Sequence, residues 1–217
     1  MTIERRTLVE PIEFRAEGGK LVAHGYAYVF NKLSKNLGGF VERIAPGAGK
    51  KTIQEQDVVA LFNHDPNFVL GRMSSGTLRM EETDTGGEYE IDLPDTTAGR
   101  DAAHLLERGD LAGSSMGFRT LDDEWGETEQ GYPLRTVKTF SLRDVGPVTF
   151  PAYSDTTAAM RSLAEARSLD IDLLVSAAKA GTLGALLTDG EHRDQEMQDD
   201  GRETPTVIRP RIAWAYA

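Results

Sequence analysis

The chain has no cysteine anywhere in its 217 residues. That one absence excludes disulfides, thiolate metal sites and cysteine nucleophiles together. Long apolar runs are missing too. The longest, Val58-Val59-Ala60-Leu61-Phe62, falls far short of the roughly 20 residues a membrane helix needs. No apolar stretch follows Met1-Thr2-Ile3-Glu4-Arg5-Arg6, so no secretory leader is expected. Positive charge is scarce: 24 Lys and Arg stand against 35 Asp and Glu, for a formal net charge of −11. A nucleic-acid binder needs a basic face to neutralise phosphates. Neither nucleic acid nor membrane is an expected partner, and the acidic balance reads as solubility.

What is present suits one good-sized soluble domain with appendages: 39% hydrophobic and 27% charged residues. The first 150 residues read mainly as strands and turns. Leu8–Glu17 and Leu21–Phe30 flank Gly18-Gly19, a hairpin signal, and Val58–His64 is a short apolar strand. Gly76–Glu82 and Glu88–Leu93 form a second hairpin. In its second arm Tyr89, Ile91 and Leu93 alternate with Glu88, Glu90 and Asp92, the period-2 pattern of a half-buried strand. A helix is expected over Thr97–Arg108, capped by Asp95 or Thr96 and ended by Gly109. Ser115–Leu121 and Leu134–Leu142 read as strands joined by a polar loop over Asp122–Tyr132. Many strands and few helices suggest a barrel or strongly curved sheet rather than a doubly wound one.

The composition changes after Tyr153. Ile171, Leu174, Val175 and Ala178 recur at helical spacing, which predicts an amphipathic helix over Asp170–Ala180 closed by Gly181. Asp189–Glu203 is acidic with almost no apolar residues and reads as a disordered tail. Pro205–Ala217 regains Val207, Ile208, Ile212, Trp214 and Tyr216, a segment able to dock on the body or on a partner.

Four histidines narrow the search for chemistry. His192 lies in the acidic tail, His104 inside the expected helix, and His24 in a strand beside Tyr26. His64 ends a strand just before Asp65-Pro66, where an imidazole can point into a cleft and act as a general base near neutral pH. Gly113-Ser114-Ser115-Met116-Gly117 matches the G-x-S-x-G nucleophile elbow. Its context fails for an α/β-hydrolase, because strand rather than helix follows and only His192 comes later. Glycines beside a serine still let backbone approach closely and leave N–H groups for an oxyanion, and a tight glycine-rich strand start with no catalysis is equally open. Asp101 and His104 are a lone pair with no further ligands at useful spacing, so no metal and no cofactor is expected.

Five blocks in order along the chain carry a resemblance: Gly25–Asn31; Glu42–Ala48; Leu61–Asp65 with Leu70-Gly71-Arg72 and Ser75–Leu78; Arg108–Phe118; and Leu142–Val145 with Pro147–Thr149 and Pro151–Tyr153. Over roughly residues 21–160 the sequence resembles the prohead maturation proteases of tailed phages, relatives of the herpesvirus assemblins. The resemblance implies an α+β, mainly β fold: an open or partly closed antiparallel β-barrel with flanking helices. The chain is accordingly divided into residues 1–160 as the protease domain, while composition and spacing mark 161–188 as a C-terminal helical segment and 189–217 as an acidic tail with an apolar end. It implies His64 as general base and Ser115 as nucleophile, with Ser114 as the fallback. Asp144 stands where the family places an acid that would orient the histidine, the alternative being a salt bridge to Arg143 or Arg119. Two residues depart from the pattern: Gly146 where serine is common, and Gly49 where an aromatic is common.

The implied activity is that of a serine endopeptidase. Its implied substrates are the scaffold segment of the major capsid protein and the protease itself, with self-association possible. The implied setting is the assembling procapsid in the cytoplasm of a bacterial host. A capsid-assembly protein that keeps the fold without proteolysis is the alternative from another class.

Overall fold

The computed structural model describes residues 3–8, 12–17, 19–111, 113–150, 160–161, 163–164 and 167–187. The expected tail and the terminal segment lie outside them. Ten strands form two sheets, with β1 Glu4–Leu8, β2 Glu13–Glu17, β3 Lys20–Val29, β4 Val41–Ile44, β5 Val59–Leu61, β6 Val69–Arg72, β7 Leu78–Glu82, β8 Gly86–Asp92, β9 Gly113–Glu127 and β10 Pro133–Val148. Helices among the described residues include α1 Lys50–Glu55, α2 Thr97–Glu107 and α3 Ile171–Ala180.

The smaller sheet, β2-β3-β8-β7, is antiparallel throughout. Its inner face is Ala23, Tyr89 and Ile91, and its outer face is a lattice of charged side chains such as Arg15, Arg79, Glu90 and Asp92. The larger sheet runs β1-β9-β10-β5-β6, and β4 also pairs with β10. Both β4 and β5 lie parallel to β10, along the edge that β9 leaves open. Between them the α1 region fills the gap, where Thr52 Oγ1 accepts the Leu142 N–H at 2.8 Å.

The sheets share one core. Met116, Phe118, Val137, Phe140, Leu142 and Val145 of the larger meet Ala23, Tyr28, Tyr89 and Ile91 of the smaller, and α2 closes one end with Ala102 and Leu106. Each fully buried large side chain here contributes about 1.5–3 kcal/mol. Tyr28 and Phe118 both pack edge-on against Phe140, with ring centres 5.0 and 5.5 Å away.

The mainly β, α+β expectation holds, and the barrel expectation is corrected in one respect. Pairing is mixed rather than antiparallel, and the described strands form no closed barrel. The sheets remain open and meet at corners, one a single bridge from Phe30 to Ile44, the other the turn from β6 into β7. The expected single strand Leu8–Glu17 is two strands in different sheets. The sequence between them holds Pro11, which has no N–H to give a ladder. The expected loop Asp122–Tyr132 is mostly strand: β9 continues to Glu127, paired with β10 down to Pro133. Its polar residues find partners there, Asp123 on Arg135 and Glu124 on Lys138, while Trp125 is buried.

Trp125 belongs to a second cluster. Leu37 and Phe40 join it, and Met160, Leu163, Leu174, Ala177, Leu183 and Leu187 cover them. Asp170 caps α3 by accepting the Asp172 and Leu173 N–H groups. The apolar stripe of that helix is therefore packed on its own chain. Gly39 permits the approach, since a Cβ there would stand 2.7 Å from the Ala178 Cβ.

Candidate active site

Three elements converge at the centre of the larger sheet. The first is the end of β5, which enters parallel to β10 with Val59 opposite Asp144. After Leu61 the chain folds back through a tight loop in which Phe62 donates its N–H to Phe68 O at 3.0 Å. Asn63 and His64 both adopt left-handed backbone, with φ of 54° and 58°. Non-glycine residues there cost on the order of 1 kcal/mol each, and such strain concentrates at functional sites. Three hydrogen bonds hold the loop to the end of β10. Asn63 N–H donates to Pro147 O at 3.0 Å, Asn63 Oδ1 accepts the Thr149 N–H at 2.8 Å, and Asn63 Nδ2 donates to Thr149 Oγ1 at 3.1 Å.

The second element is a β-bulge in β10. The register steps from Leu142 opposite Phe118 to Asp144 opposite Gly117, leaving Arg143 as the extra residue. Leu142 and Asp144 would otherwise share a face. With the bulge Leu142 stays in the core while Asp144 turns to the other side, which is how bulges re-aim side chains. Its carboxylate lies across Gly117, where a Cβ would stand 2.5 Å from Oδ1.

The third element is β9. Ser114 and Ser115 are both fully buried, but alternation sends them to opposite faces. Ser114 Oγ donates to the Tyr89 hydroxyl at 2.9 Å, across to the other sheet. Ser115 Oγ lies 2.7 Å from His64 Nε2, and His64 Nδ1 is hydrogen-bonded to Asp144 Oδ2. A carboxylate that accepts from Nδ1–H would leave Nε2 as the acceptor facing the Ser115 hydroxyl. Asp144 pairs with His64 rather than with Arg143 or Arg119.

The chain also covers its own serine. β1 lies antiparallel on the edge of β9 with Thr7 opposite Ser115. Ser115 Oγ donates to Arg6 O at 3.0 Å and accepts from Thr7 Oγ1 at 3.2 Å. A hydroxyl has one proton, so with β1 seated the Arg6 carbonyl competes with His64 for it.

The structure keeps two of the other histidines, His24 and His104, apart from this centre. His24 lies 3.3 Å from Glu88 on the outer face of the smaller sheet, and His104 is exposed on α2. His192 and Pro151–Tyr153, the end of the fifth block of the resemblance, lie outside the described residues. Among the described residues no three acidic or histidine side chains group as metal ligands. Both departures from the family pattern have steric reasons. Gly146 has φ of 149°, and a Cβ would meet Leu61 O at 2.2 Å. At Gly49 a Cβ would stand 2.0 Å from the Tyr28 hydroxyl, so the aromatic filling that space comes from β3. Burial and then Glu82, which accepts from Tyr28 and from the Gly49 N–H, push the Tyr28 phenol up.

A serine, a histidine and an aspartate hydrogen-bonded in that order form the constellation of serine-type hydrolases, which recurs on unrelated folds. Residues 9–169 match the family described as caudovirus prohead serine protease, and the chain belongs to that family. It is thus a serine protease of the capsid-maturation kind. The prohead protease of Escherichia phage T5 is 27% identical over 156 residues, 69% of this chain and 67% of that protein. Among solved structures, the bacteriophage T4 capsid assembly protease superposes with a TM-score of 0.47 at 15% identity, over 68% of this chain and 97% of that one.

Proposed function

We propose that the chain is an endopeptidase in which Ser115 attacks the scissile carbonyl, His64 takes its proton and returns it to the leaving amine, and Asp144 holds the imidazole and stabilises its charged form. The proposed substrates are the scaffold segment of the major capsid protein and the protease itself, cut inside the procapsid as it assembles in the bacterial host. The observation that carries this reading is the hydrogen-bonded line from Ser115 through His64 to Asp144. The position of β1 supports it. A peptide added to the edge of β9 brings a carbonyl against Ser115 Oγ, as Arg6 does, so a substrate reaches the nucleophile by taking β1's place as an extended strand. A groove of about 600 Å³ lies beside Thr7, Leu8 and Met116, with exposed Leu33 and Phe150 among its lining residues.

Co-expression with the capsid protein tests the proposal, with products read by gel and mass spectrometry. Ser115→Ala is expected to lower turnover on the order of 10⁴-fold or more. Ser114→Ala, which removes only the bond to Tyr89, should leave processing intact. Intact capsid protein with the unsubstituted chain would favour the non-proteolytic assembly protein.

A further inference from the structure

β1 holds a charge pattern that the body of the protein reads. Glu4 and Arg6 lie two residues apart opposite Phe118 and Met116, so both side chains leave on the core-facing side of the strand, away from His64. Arg6 sets Nε and a terminal nitrogen on the two oxygens of Glu42, at 2.8 and 2.9 Å, with its guanidinium 5.4 Å above the Phe118 ring. Glu4 accepts from Arg135 at 2.8 and 3.3 Å, from Arg6 at 2.8 Å and from Thr120 at 2.7 Å. The receiving groups stand on β4, β9 and β10 and are held independently of β1, since Arg135 also donates to Glu42 at 3.0 Å and to Asp123 at 2.7 Å. Glu42 is 3% exposed and Arg135 fully buried.

When a substrate strand replaces β1, these groups lose their partners. Glu42 and Asp123 are left facing the single guanidinium of Arg135, in a bed walled by Phe118. An uncompensated buried charge is strongly destabilising, so the replacing strand is selected for a cation in the place of Arg6 and an acid in the place of Glu4. The register ties that choice to the chemistry, because Arg6 is the residue whose carbonyl oxygen lies against Ser115 Oγ. Resting on the protease reading above, we infer that the enzyme cuts after a basic residue that has an acidic residue two positions before it. Glu42 and Arg135 determine this specificity. Arginine is favoured over lysine because Glu42 offers both oxygens to a planar fork.

The test is a cut-site map. The full chain is incubated with a proteome-derived peptide mixture, with Ser115→Ala as the blank, and new termini are read by mass spectrometry. Arg or Lys should be enriched about tenfold or more immediately before the cut, the size of effect expected for a charged hydrogen-bonded pair. Asp or Glu should be enriched two residues earlier. Glu42→Gln should erase the basic preference while cuts continue, an outcome a merely structural role would not give, and Glu42→Asp should keep part of it. If apolar or acidic residues precede the cut, or if the Glu42→Gln map is unchanged, the inference is overturned and the protease reading stands. If no cut depends on Ser115, the protease reading falls and the inference with it.

Discussion

The two sheets are built to different standards of regularity. The smaller is two antiparallel hairpins with alternating faces and one register shift, near Tyr26 and Tyr28. The larger mixes parallel and antiparallel pairing, carries three register shifts in its central hairpin and one in β5-β6, and leads into two consecutive left-handed residues. The candidate chemistry lies wholly on the irregular sheet. A regular ladder sends residues i and i+2 to the same side and cannot bring an aspartate from β10, a histidine beyond β5 and a serine from β9 to one point while keeping apolar neighbours inward. The bulge at Arg143 and the Asn63-His64 turn solve that problem. The smaller sheet supplies the rigid backing, with Tyr89 bonded to Ser114.

One pair of substitutions would break this comparison. Gly117→Ala places a Cβ 2.5 Å from Asp144 Oδ1, while Gly25→Ala places one 2.9 Å from the Tyr89 hydroxyl in the smaller sheet. Both should lose stability, on the order of 1–3 kcal/mol for overpacking. Only Gly117→Ala should also lose turnover by about 10³-fold or more, because it dislodges the carboxylate that we propose orients His64. Measuring kcat and thermal midpoint for both variants decides it. Equal losses of turnover would mean that the two sheets contribute alike.

The same contrast explains what could be read beforehand. β8 alternates cleanly, α2 announces itself by a cap at Asp95 or Thr96 and an end at Gly109, and α3 by apolar spacing closed by Gly181. Local pattern sufficed there because local pattern decides the structure. β9 beyond Leu121 looked like a loop because Asp123 and Glu124 are strand residues only in the company of Arg135 and Lys138. β1, β4, β6 and α1 are short, and their residues make sense only against distant partners, as Glu4 does against Arg135. His64 and Ser115 stood out by residue type and by the family resemblance, and the fold brings them within hydrogen-bond reach. The face of Asp144 was unreadable by counting, since a bulge inverts parity and leaves no mark in the sequence. The occupation of Ser115 by the chain's own first strand was equally hidden.

A smaller effect is expected at Asn63. Asn63→Gly keeps the left-handed turn without strain and removes both side-chain bonds to Thr149. Stability should change by about 1 kcal/mol or less, while turnover falls about tenfold as His64 loses its fixed approach to Ser115. Asn63→Asp, which retains the acceptor for the Thr149 N–H, should recover part of that loss. A variant with unchanged kcat would show that the turn alone positions the histidine.

The smallest expected effect concerns the strand that covers the serine. Burial alone would raise the Glu4 carboxyl, but the guanidinium groups of Arg135 and Arg6, with bonds from Arg135 and Thr120, more than offset it and hold Glu4 below the usual glutamate range. A group whose folded value is depressed contributes stability that is present above its ordinary value and lost as pH falls through the lowered one. β1 should therefore be most firmly seated at neutral pH and loosen in acid, below the range where an ordinary glutamate titrates. Hydrogen exchange at Arg6–Leu8, corrected for intrinsic rates, should lose protection by a few-fold to about tenfold on acidification. Glu4→Gln, neutral at every pH, should start with lower protection and lose much of that dependence. Protection at β3 and β8, in the regular sheet, should move far less over the same range. If β1 and β8 lost protection together, the acid effect would be general unfolding rather than release of the strand.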